Sequence, residues 1–245
     1  MLWRGGILLI GFLLLWQVLV WGLAIPNYLV PTPWQVALTI WQAPTLLLQQ
    51  TWPTVAETLL GLLVAVFWGV LMAIAMGLFR MVRFWMLPIL LVSQAIPTFA
   101  IAPLFVVWFG YGMSSKVAVT IFALFFPVTI AFFDGLRRTD SGWLDLASVM
   151  HANRYRRLWY IQLPAALPAL ASGIRVATAW APMAAVIGEW VGSSEGLGFL
   201  MLNANSRVDI PLMFAALLCL VIFSLLLYFV VDHLLKRWIY WVRET

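Results

Sequence analysis

Charge is scarce in this chain: of its 245 residues only 9% are Asp, Glu, Lys or Arg, against about 25% in an average soluble domain. Hydrophobic residues make up 64%. Apolar runs of about 20 residues, long enough to cross a bilayer as a helix, recur along the sequence. A membrane β-barrel would instead show alternating segments of about 10 residues. The composition therefore predicts an all-α polytopic membrane protein, and the net charge of +5 does not indicate nucleic acid as a partner.

Residues that often carry chemistry are also few. Cys219 is the only cysteine, which excludes an intrachain disulfide and a cysteine metal cluster. The two histidines, His151 and His233, are far apart and lie outside membrane depth, which argues against a zinc site and against an intramembrane Ser–His dyad. No G-x-x-x-x-G-K-[ST] motif occurs, since Lys116 and Lys236 follow Ser and Leu. We expect no catalytic residue, metal or cofactor in this chain.

Hydropathy predicts six spans in a single transmembrane domain, 1–245, whose core runs from about 55 to 231. The spans are roughly Ile7–Ile25, Val55–Phe79, Phe84–Phe109, Val117–Phe133, Leu167–Val186 and Leu212–Val231. The N-terminal run is long and no A-x-A site follows it, so it is interpreted as an uncleaved first span. A short amphipathic piece, Trp34 to Trp41, is predicted to be an interfacial helix.

Lys and Arg are concentrated on one side of these spans. With the N-terminus inside, the inner side holds Arg4, Arg80, Arg83, Arg137, Arg138, Arg154, Arg156, Arg157, Lys236, Arg237 and Arg243. The outer side holds only Lys116 and Arg207, and Arg175 falls within the fifth span. Because cytoplasmic loops are enriched in Lys and Arg, both termini are predicted to be cytoplasmic. The longest inner loop then runs from about 134 to 166.

Prolines interrupt several predicted spans, namely Pro88, Pro97, Pro103, Pro127 and Pro182. A proline inside a helix removes one hydrogen bond, and in lipid the freed carbonyl must be satisfied by a neighbouring helix or by a water-filled cavity. Kinked packing explains any single proline equally well. Three prolines in the third span favour a helix that lines a pathway.

Glu189 is an ionisable residue near the outer end of the fifth span, which makes it a candidate functional group. The alternative is a carboxylate that reaches the outer interface and caps a local turn. The glycines around it, Gly188, Gly192, Gly196 and Gly198, predict an irregular or re-entrant segment.

The charged stretch LDLASVMHANRYRRLWYIQLP, residues 144–164, resembles the EAA loop of ABC importer permeases, E-A-A-x3-G-x9-I-x-L-P. The spacing matches throughout, and four positions are identical: Ala147, Ile161, Leu163 and Pro164. Asp145, Leu146 and His151 stand where the family has Glu, Ala and Gly. Histidine is enriched among non-glycine residues at positive φ, so His151 either adopts the turn of the family's glycine or makes the turn less sharp.

Other segments are similar to the nitrate/sulfonate/taurine branch of these permeases. QAIPTFAIAPLFVVWFGYGMSSK, residues 94–116, matches its P-x-x-A-x-x-P-L-x-x-x-W-F-G-x-G pattern, and LPAALPALASGIRVA and EWVGSSEGLGFLMLNA match as well. The similarity covers nearly the whole chain. Within the branch, MHANRYRRLWYIQLPAALPAL and GEWVGSSEGLGFLMLNANSR look most like permeases assigned to hydroxymethylpyrimidine, a thiamin precursor.

The resemblance implies a type I ABC importer permease with a methionine-importer-like fold and cytoplasmic coupling helices, in a bacterial inner membrane. It implies a second permease copy, preferably in a homodimer, two ABC ATPase subunits that bind ATP and magnesium, and a periplasmic or extracellular substrate-binding protein. The residues implied for coupling to the ATPase are Asp145, Ala147, His151, Ala152, Arg154, Tyr155, Leu158, Ile161, Leu163 and Pro164. By position, Gln94, Pro97 and Glu189 are expected along the pathway.

Two other functions are left open by the residues. A self-contained secondary transporter or channel would explain the broken helices and Glu189, but not a long charged inner loop, and the two repeated halves common in such transporters are not found. A sensor or assembly subunit is the second alternative, against which the proline-broken spans argue. For the inner arginines, contact with lipid headgroups is the alternative to docking. The expected solute is a thiamin-precursor pyrimidine; otherwise it is a sulfonate, taurine, nitrate or a riboflavin-like molecule.

Overall fold

Every regular element of the chain is helical in the computed structural model, which describes residues 2–24, 26 and 28–241. The helices are α1 (Leu2–Gly22), α2 (Pro33–Gln42), α3 (Pro44–Leu78), α4 (Arg80–Ala95), α5 (Thr98–Phe109), α6 (Met113–Arg137), α7 (Ser141–Val149), α8 (Arg154–Arg157), α9 (Leu163–Gly192), α10 (Leu197–Ser206) and α11 (Ile210–Trp238). A π-helical turn, Leu158–Gln162, joins α8 to α9. The predicted all-α class is confirmed.

Within the described residues, four stretches are long and apolar enough to cross a membrane: Pro44–Leu78, Met113–Arg137, Arg154–Gly192 and Ile210–Trp238. They contain the fourth, fifth and sixth predicted spans and all of the second except its last residue, Phe79. The pair α4 and α5 makes a fifth crossing if it is counted as one bent span. The first predicted span falls on α1, where Leu13–Gly22 is a shorter apolar helix, and its last residue, Ile25, lies outside the described residues.

The third predicted span, Phe84–Phe109, is two helices bent by 105°. The break lies at Ile96 and Pro97, whose backbones are extended with ψ of 118° and 123°. A proline ring clashes with a helical conformation of the residue before it, so Pro97 ends α4 at this point. Pro88 and Pro103 lie inside α4 and α5 without ending them. One proline of the three therefore carries the interruption.

The core is formed where α3, α6 and α9 pack side by side. Its buried apolar residues include Phe132, Phe133 and Leu136 of α6. Gly61 of α3 faces Thr120, whose Cγ2 would lie 2.4 Å from an added Cβ, and Gly173 of α9 faces Ala131 at 2.6 Å. Small residues at such contacts let helix backbones approach closely, which is the main source of packing energy between helices in lipid.

The bundle has two chemically different ends. At the first, called the basic end below, α3 and α6 finish, α9 begins and the last turns of α11 pack on α9. It carries Arg80, Arg83, Arg137, Arg138, Arg154, Arg156, Arg157, Lys236 and Arg237. Lys116 and Arg207 lie at the opposite end. The structure thus separates the basic residues as predicted; the side chain of Arg4 and all of Arg243 lie outside the described residues.

Arg175, predicted inside the fifth span, forms an ion pair with Asp232 of α11. Its Nε lies 2.7 Å from Oδ1 of Asp232, and Nζ of Lys236 lies 3.0 Å from Oδ2 of the same carboxylate. A charge inside a membrane-spanning helix is tolerated when a partner neutralises it. The pair therefore joins α9 to α11 near the basic end.

The predicted interfacial piece forms α2. Thr32 caps it through a reciprocal box: the Gln35 N–H donates to Thr32 Oγ1 at 3.3 Å, and the Thr32 N–H donates to Gln35 Oε1 at 2.9 Å. Val36 is buried in a cluster with Leu47 of α3 and with residues of α10 and α11. Trp34 and Trp41 on the other face are exposed, as expected for indoles at an interface.

Candidate functional site

The charged stretch folds into two short helices joined by a tight turn. Asp140 caps α7, its Oδ1 accepting from the Gly142 N–H at 2.6 Å. At the other end the Ala152 N–H donates to the Ala147 carbonyl at 2.9 Å and the His151 N–H to the Ser148 carbonyl at 3.0 Å. These two bonds define a Schellman motif.

His151 occupies the position in this motif that glycine usually takes. Its φ is +55°, which lies in the left-handed region that most residues with a Cβ avoid. Of the two possibilities that the sequence left open, the sharp left-handed turn is therefore the one found. The side chain of His151 is exposed, so the turn itself, rather than a buried contact of the imidazole, determines this conformation.

The second half of the stretch runs without a break into a membrane-spanning helix. Asn153 caps α8 by accepting from the Arg156 N–H at 2.9 Å, and the π-helical turn then leads into α9. Within it the Leu163 N–H donates to the Leu158 carbonyl, five residues back. Pro164 has no N–H, and its ring would clash with a carbonyl four residues back; a widened turn removes that clash.

Three side chains fasten the stretch to the ends of α3 and α6. A guanidinium nitrogen of Arg154 donates to the Leu78 carbonyl, and the same guanidinium lies 5.3 Å from the ring centroid of Phe79. Gln162 Nε2 donates to the Leu136 carbonyl at 3.4 Å. Leu158 is 1% exposed and packs into the three-helix core. Because the last carbonyls of a helix lack internal partners, these contacts complete α3 and α6.

The predicted coupling residues divide into two groups by exposure. Asp145, His151, Arg154, Tyr155 and Pro164 are exposed, and Ala152, Ile161 and Leu163 are half-buried. Ala147 is 3% exposed and Leu158 is 1% exposed. The chain itself covers Ala147 and Leu158, so their side chains pack within the permease and position the loop.

An exposed apolar face was missed by sequence reasoning. Trp143 and Leu146 on α7 and Met150, the residue that caps its C-terminal end, are 62%, 51% and 74% exposed. They border a cavity of about 850 Å³ whose lining also includes Tyr160 and Pro168. The spacing of three and four residues, which places side chains on one helix face, was the available signal.

The three predicted pathway residues occupy two different settings. Gln94 and Pro97 are exposed and lie at the break between α4 and α5. Glu189 lies in the last turn of α9 and is 1% exposed. The first two thus share one structural feature, the broken helix, whereas the third belongs to a closed polar cluster.

Glu189 caps α10 from a neighbouring helix. Its Oε2 accepts from the Gly198 N–H and its Oε1 accepts from the Thr54 hydroxyl, each at 2.5 Å. The Leu197 N–H donates to Thr54 Oγ1 at 2.8 Å, and the Gly196 N–H donates to Gln50 Oε1 at 2.6 Å. Side chains of α3 and α9 therefore satisfy the first N–H groups of α10, which a helix cannot satisfy alone.

The predicted irregular segment is present between α9 and α10. Gly196 has φ +108°, and a Cβ there would lie 2.3 Å from Cδ of Glu189. Of the two interpretations of Glu189, the cap of a local turn describes its contacts, although the carboxylate is buried rather than at the interface.

A buried ion pair lies at the same end of the bundle. Nζ of Lys116 on α6 is 2.8 Å from Oε1 of Glu57 on α3, and the two side chains are 3% and 1% exposed. Gly188 of α9 packs against the backbone of Lys116. A buried charge is tolerated only with a partner, so the pair fixes α3 against α6. Lys116, expected on the outer side, is enclosed by the protein.

No group of three His, Cys, Asp or Glu side chains within the described ranges is arranged to hold a metal ion. Three features stand out among the described residues: the anchored loop, the exposed apolar face beside it and the broken helix of α4 and α5.

Comparison with known proteins gives the same picture. Residues 65–240 match the family model "Binding-protein-dependent transport system inner membrane component". The chain is 49% identical over 235 residues to a probable ABC transporter permease protein of Haemophilus influenzae, covering 96% of each chain. It is 35% identical over 200 residues to the formylaminopyrimidine transport permease protein ThiX of Halalkalibacterium halodurans, covering 81% of this chain and 80% of that one.

The fold is also found among solved structures. The MetNI methionine ABC transporter, in inward-facing conformations, contains a chain that superposes with a TM-score of 0.66 at 19% identity, over 78% of this chain and 95% of that one. Permeases named for taurine and aliphatic sulfonates match this chain too, which confirms the resemblance to that branch. The predicted methionine-importer-like fold is confirmed.

Proposed function

The chain belongs to the family of binding-protein-dependent transport system inner membrane components and is the permease subunit of an ABC importer for small solutes, and we propose that its solute is a thiamin-precursor pyrimidine. The observation that carries the proposal is the relative named for formylaminopyrimidine, which matches four fifths of this chain. That solute and hydroxymethylpyrimidine are both small pyrimidines. A self-contained secondary transporter loses its support, because this family works with separate partners.

We propose that ATP is hydrolysed on two separate ATPase subunits, since the chain has no phosphate loop. They would dock at the basic end, which would then face the cytoplasm together with both termini, in a bacterial inner membrane. Positive-inside topology supports this orientation. A substrate-binding protein would deliver the solute at the opposite end.

The docking surface in this proposal is the exposed apolar face of α7 with its charged rim. Trp143 and Met150 beside the cavity offer the aromatic and methionine side chains that are enriched at interface centres. Arg156, which also lines that cavity, would orient an acidic partner at the rim, where charges steer association more than they hold it.

Movement of this surface would be transmitted through its anchors. Arg154 holds the end of α3, Gln162 holds the end of α6, and Leu158 lies in the core. A partner that displaces the loop therefore pulls on three spans at once. Packed helices respond to such a force by moving as rigid bodies, which would open one end of a pathway and close the other.

The pathway itself would pass the break between α4 and α5. The last carbonyls of α4 have no helical partner there, and irregular backbone at membrane depth is tolerated only where protein or a water-filled cavity covers it. Gln94 and Pro97 are exposed in the single chain. A second copy of the permease, as a homodimer, would supply the missing wall.

The test is ATP-dependent uptake in vesicles that contain the permease, its ATPase and its binding protein. Labelled hydroxymethylpyrimidine is expected to accumulate only when ATP is present on the membrane face that carries the ATPase and the binding protein is present on the opposite face. Taurine, an aliphatic sulfonate and riboflavin serve as competing solutes. Accumulation of one of these, and not of the pyrimidine, would overturn the substrate assignment and leave the permease assignment standing.

A further inference from the structure

A second cavity at the basic end has a lining unlike that of the docking surface. It encloses about 590 Å³ where the junction of α3 and α4 meets α8 and the π-helical turn. Four arginines line it: Arg80, Arg83, Arg154 and Arg157. The other lining residues are Met76, Gly77, Leu78, Phe79, Met81 and Gln162, so no carboxylate of the described chain lines it. It is named the arginine pocket here.

Among the residues that the structure describes, the positive charge of this pocket is largely uncompensated. Arg80, Arg83 and Arg157 have no carboxylate within ion-pair distance among the described residues. One guanidinium nitrogen of Arg154 already donates a hydrogen bond to the Leu78 carbonyl. In addition, no side chain caps the 16-residue helix α4, which begins at the pocket. The unsatisfied N–H groups of such a helix start favour an anion.

The surroundings of the pocket place it at the level of a membrane surface. Met81, Phe84 and Trp85 on the first turns of α4 are 71%, 69% and 60% exposed, beside arginines on the same turns. Exposed aromatic residues next to basic ones are typical of the boundary between acyl chains and headgroups. A ligand that satisfies both parts has an anionic head and an apolar tail.

We propose that the arginine pocket binds the phosphate of an anionic phospholipid in the leaflet at the basic end. Arginine presents a planar fork that bonds phosphate oxygens in pairs, and basic pockets between membrane helices are suited to such headgroups. The acyl chains would lie along the apolar side of α4. This site goes beyond the transport activity, and Arg80 and Arg83 lie outside the stretch assigned to docking.

Binding there would couple lipid to the anchored loop. Arg154 belongs both to the pocket and to the contact that fastens the loop to α3. A bound phosphate therefore adds a second connection between the α3–α4 junction and α8. The lipid stabilises the attachment of the loop without touching the apolar face of α7.

The test uses the full-length permease in its assembled complex, purified in detergent and titrated with phosphatidylglycerol or phosphatidylcholine under native mass spectrometry. The double variant Arg80→Gln/Arg83→Gln is compared with the charge-matched control Arg137→Gln/Arg237→Gln, from the same end but outside the pocket. Each arginine near an anionic surface contributes about fivefold in affinity, so phosphatidylglycerol should bind on the order of 30-fold more weakly to the first variant alone.

Three results would overturn the proposal. Equal retention of phosphatidylglycerol by both double variants would remove the site. Equal protection against thermal unfolding by glycerol phosphate and by the lipid would make the ligand a soluble phosphate. Loss of the ATPase from Arg80→Gln/Arg83→Gln with lipid binding unchanged would make it a protein contact. If the Gln variant misfolds, Arg80→Lys/Arg83→Lys keeps the charge and replaces it as the test. Its affinity for phosphatidylglycerol should lie between that of the wild type and the roughly 30-fold weaker affinity expected when both charges are lost.

Discussion

At the scale of single residues, His151 shows how a motif position is decided by backbone geometry. His151 stands where the resembling motif has glycine, and it lies in a turn with the two hydrogen bonds of a Schellman motif, at φ +55°. A residue with a Cβ in the left-handed region is strained by roughly 1–2 kcal/mol, though less for histidine than for a branched side chain. The spacing of the motif predicted where the turn lies, but only the structure distinguishes a left-handed turn from a wider one.

The stability of variants at His151 should therefore depend on how readily the new residue adopts a positive φ, and not on the chemistry of its side chain. We expect His151→Gly to fold and hold the ATPase like the wild type, and His151→Val to lower stability by about 1–2 kcal/mol, because a β-branched residue resists positive φ. Thermal unfolding of the purified permease measures both. A Gly variant that loses the ATPase would instead assign the imidazole a direct contact.

Glu189 is the second residue whose contacts lead to a measurement. Glutamine keeps one acceptor oxygen, so Glu189→Gln should lose one of the two charge-assisted bonds, to Thr54 or Gly198, at a cost of roughly 1.5–3 kcal/mol. Glu195→Gln, an exposed carboxylate of the same segment, is the matched control and should be neutral. Unchanged stability with altered uptake would support the predicted pathway role over the capping role.

At the scale of elements, hydropathy predicted the long helices well and their ends poorly. The second span was expected from Val55, yet α3 begins at Pro44 and carries Pro53 inside it. Apolar content shows what can lie in lipid, whereas a helix continues as far as packing supports it, here on α2 and α10. Similarly, spacing located the charged stretch 144–164, but it could not show that Ala147 is covered by the chain and that Leu158 packs into the core. That depends on where α3 and α6 end.

The two faces of α7 should respond differently to charge. Met150→Glu places a carboxylate on a 74% exposed position, and we expect the permease to keep its unfolding temperature and lose co-purifying ATPase. Ala147→Glu buries the charge at a 3% exposed position and should lower stability as well. Ser141→Glu, exposed in the first turn of the same helix, is the control. Normal ATPase recovery with Met150→Glu would refute the docking face.

At the scale of the whole molecule, contacts distant in sequence hold the opposite end together. Glu57 and Lys116 are single charges in apolar runs, and nothing in either run indicates that they meet. The same is true of the cap that α3 and α9 provide for α10. Such contacts depend on which helices become neighbours, which no local pattern specifies. The sequence resemblance predicted the fold, but this polar cluster is visible only in three dimensions.

The buried pair should behave as a unit. Lys116→Met alone leaves Glu57 charged without a partner and should cost about 3–5 kcal/mol, whereas Glu57→Gln/Lys116→Met should recover most of that loss. The amount of permease in the membrane and its unfolding temperature measure the effect. If the double variant is as unstable as Lys116→Met, the two side chains act independently and the pair does not hold α3 to α6.

The π-helical turn at Leu158–Gln162 has a geometric consequence for the whole assembly. Its hydrogen bond reaches five residues back instead of four, so the turn holds one extra residue. Each residue of an α-helix turns the chain by roughly 100° about the helix axis. Removing one residue from this turn would leave α9 seated in the core while swinging Arg154 away from the end of α3. A single residue of chain length therefore sets the rotation of α7 and α8 about the axis of α9.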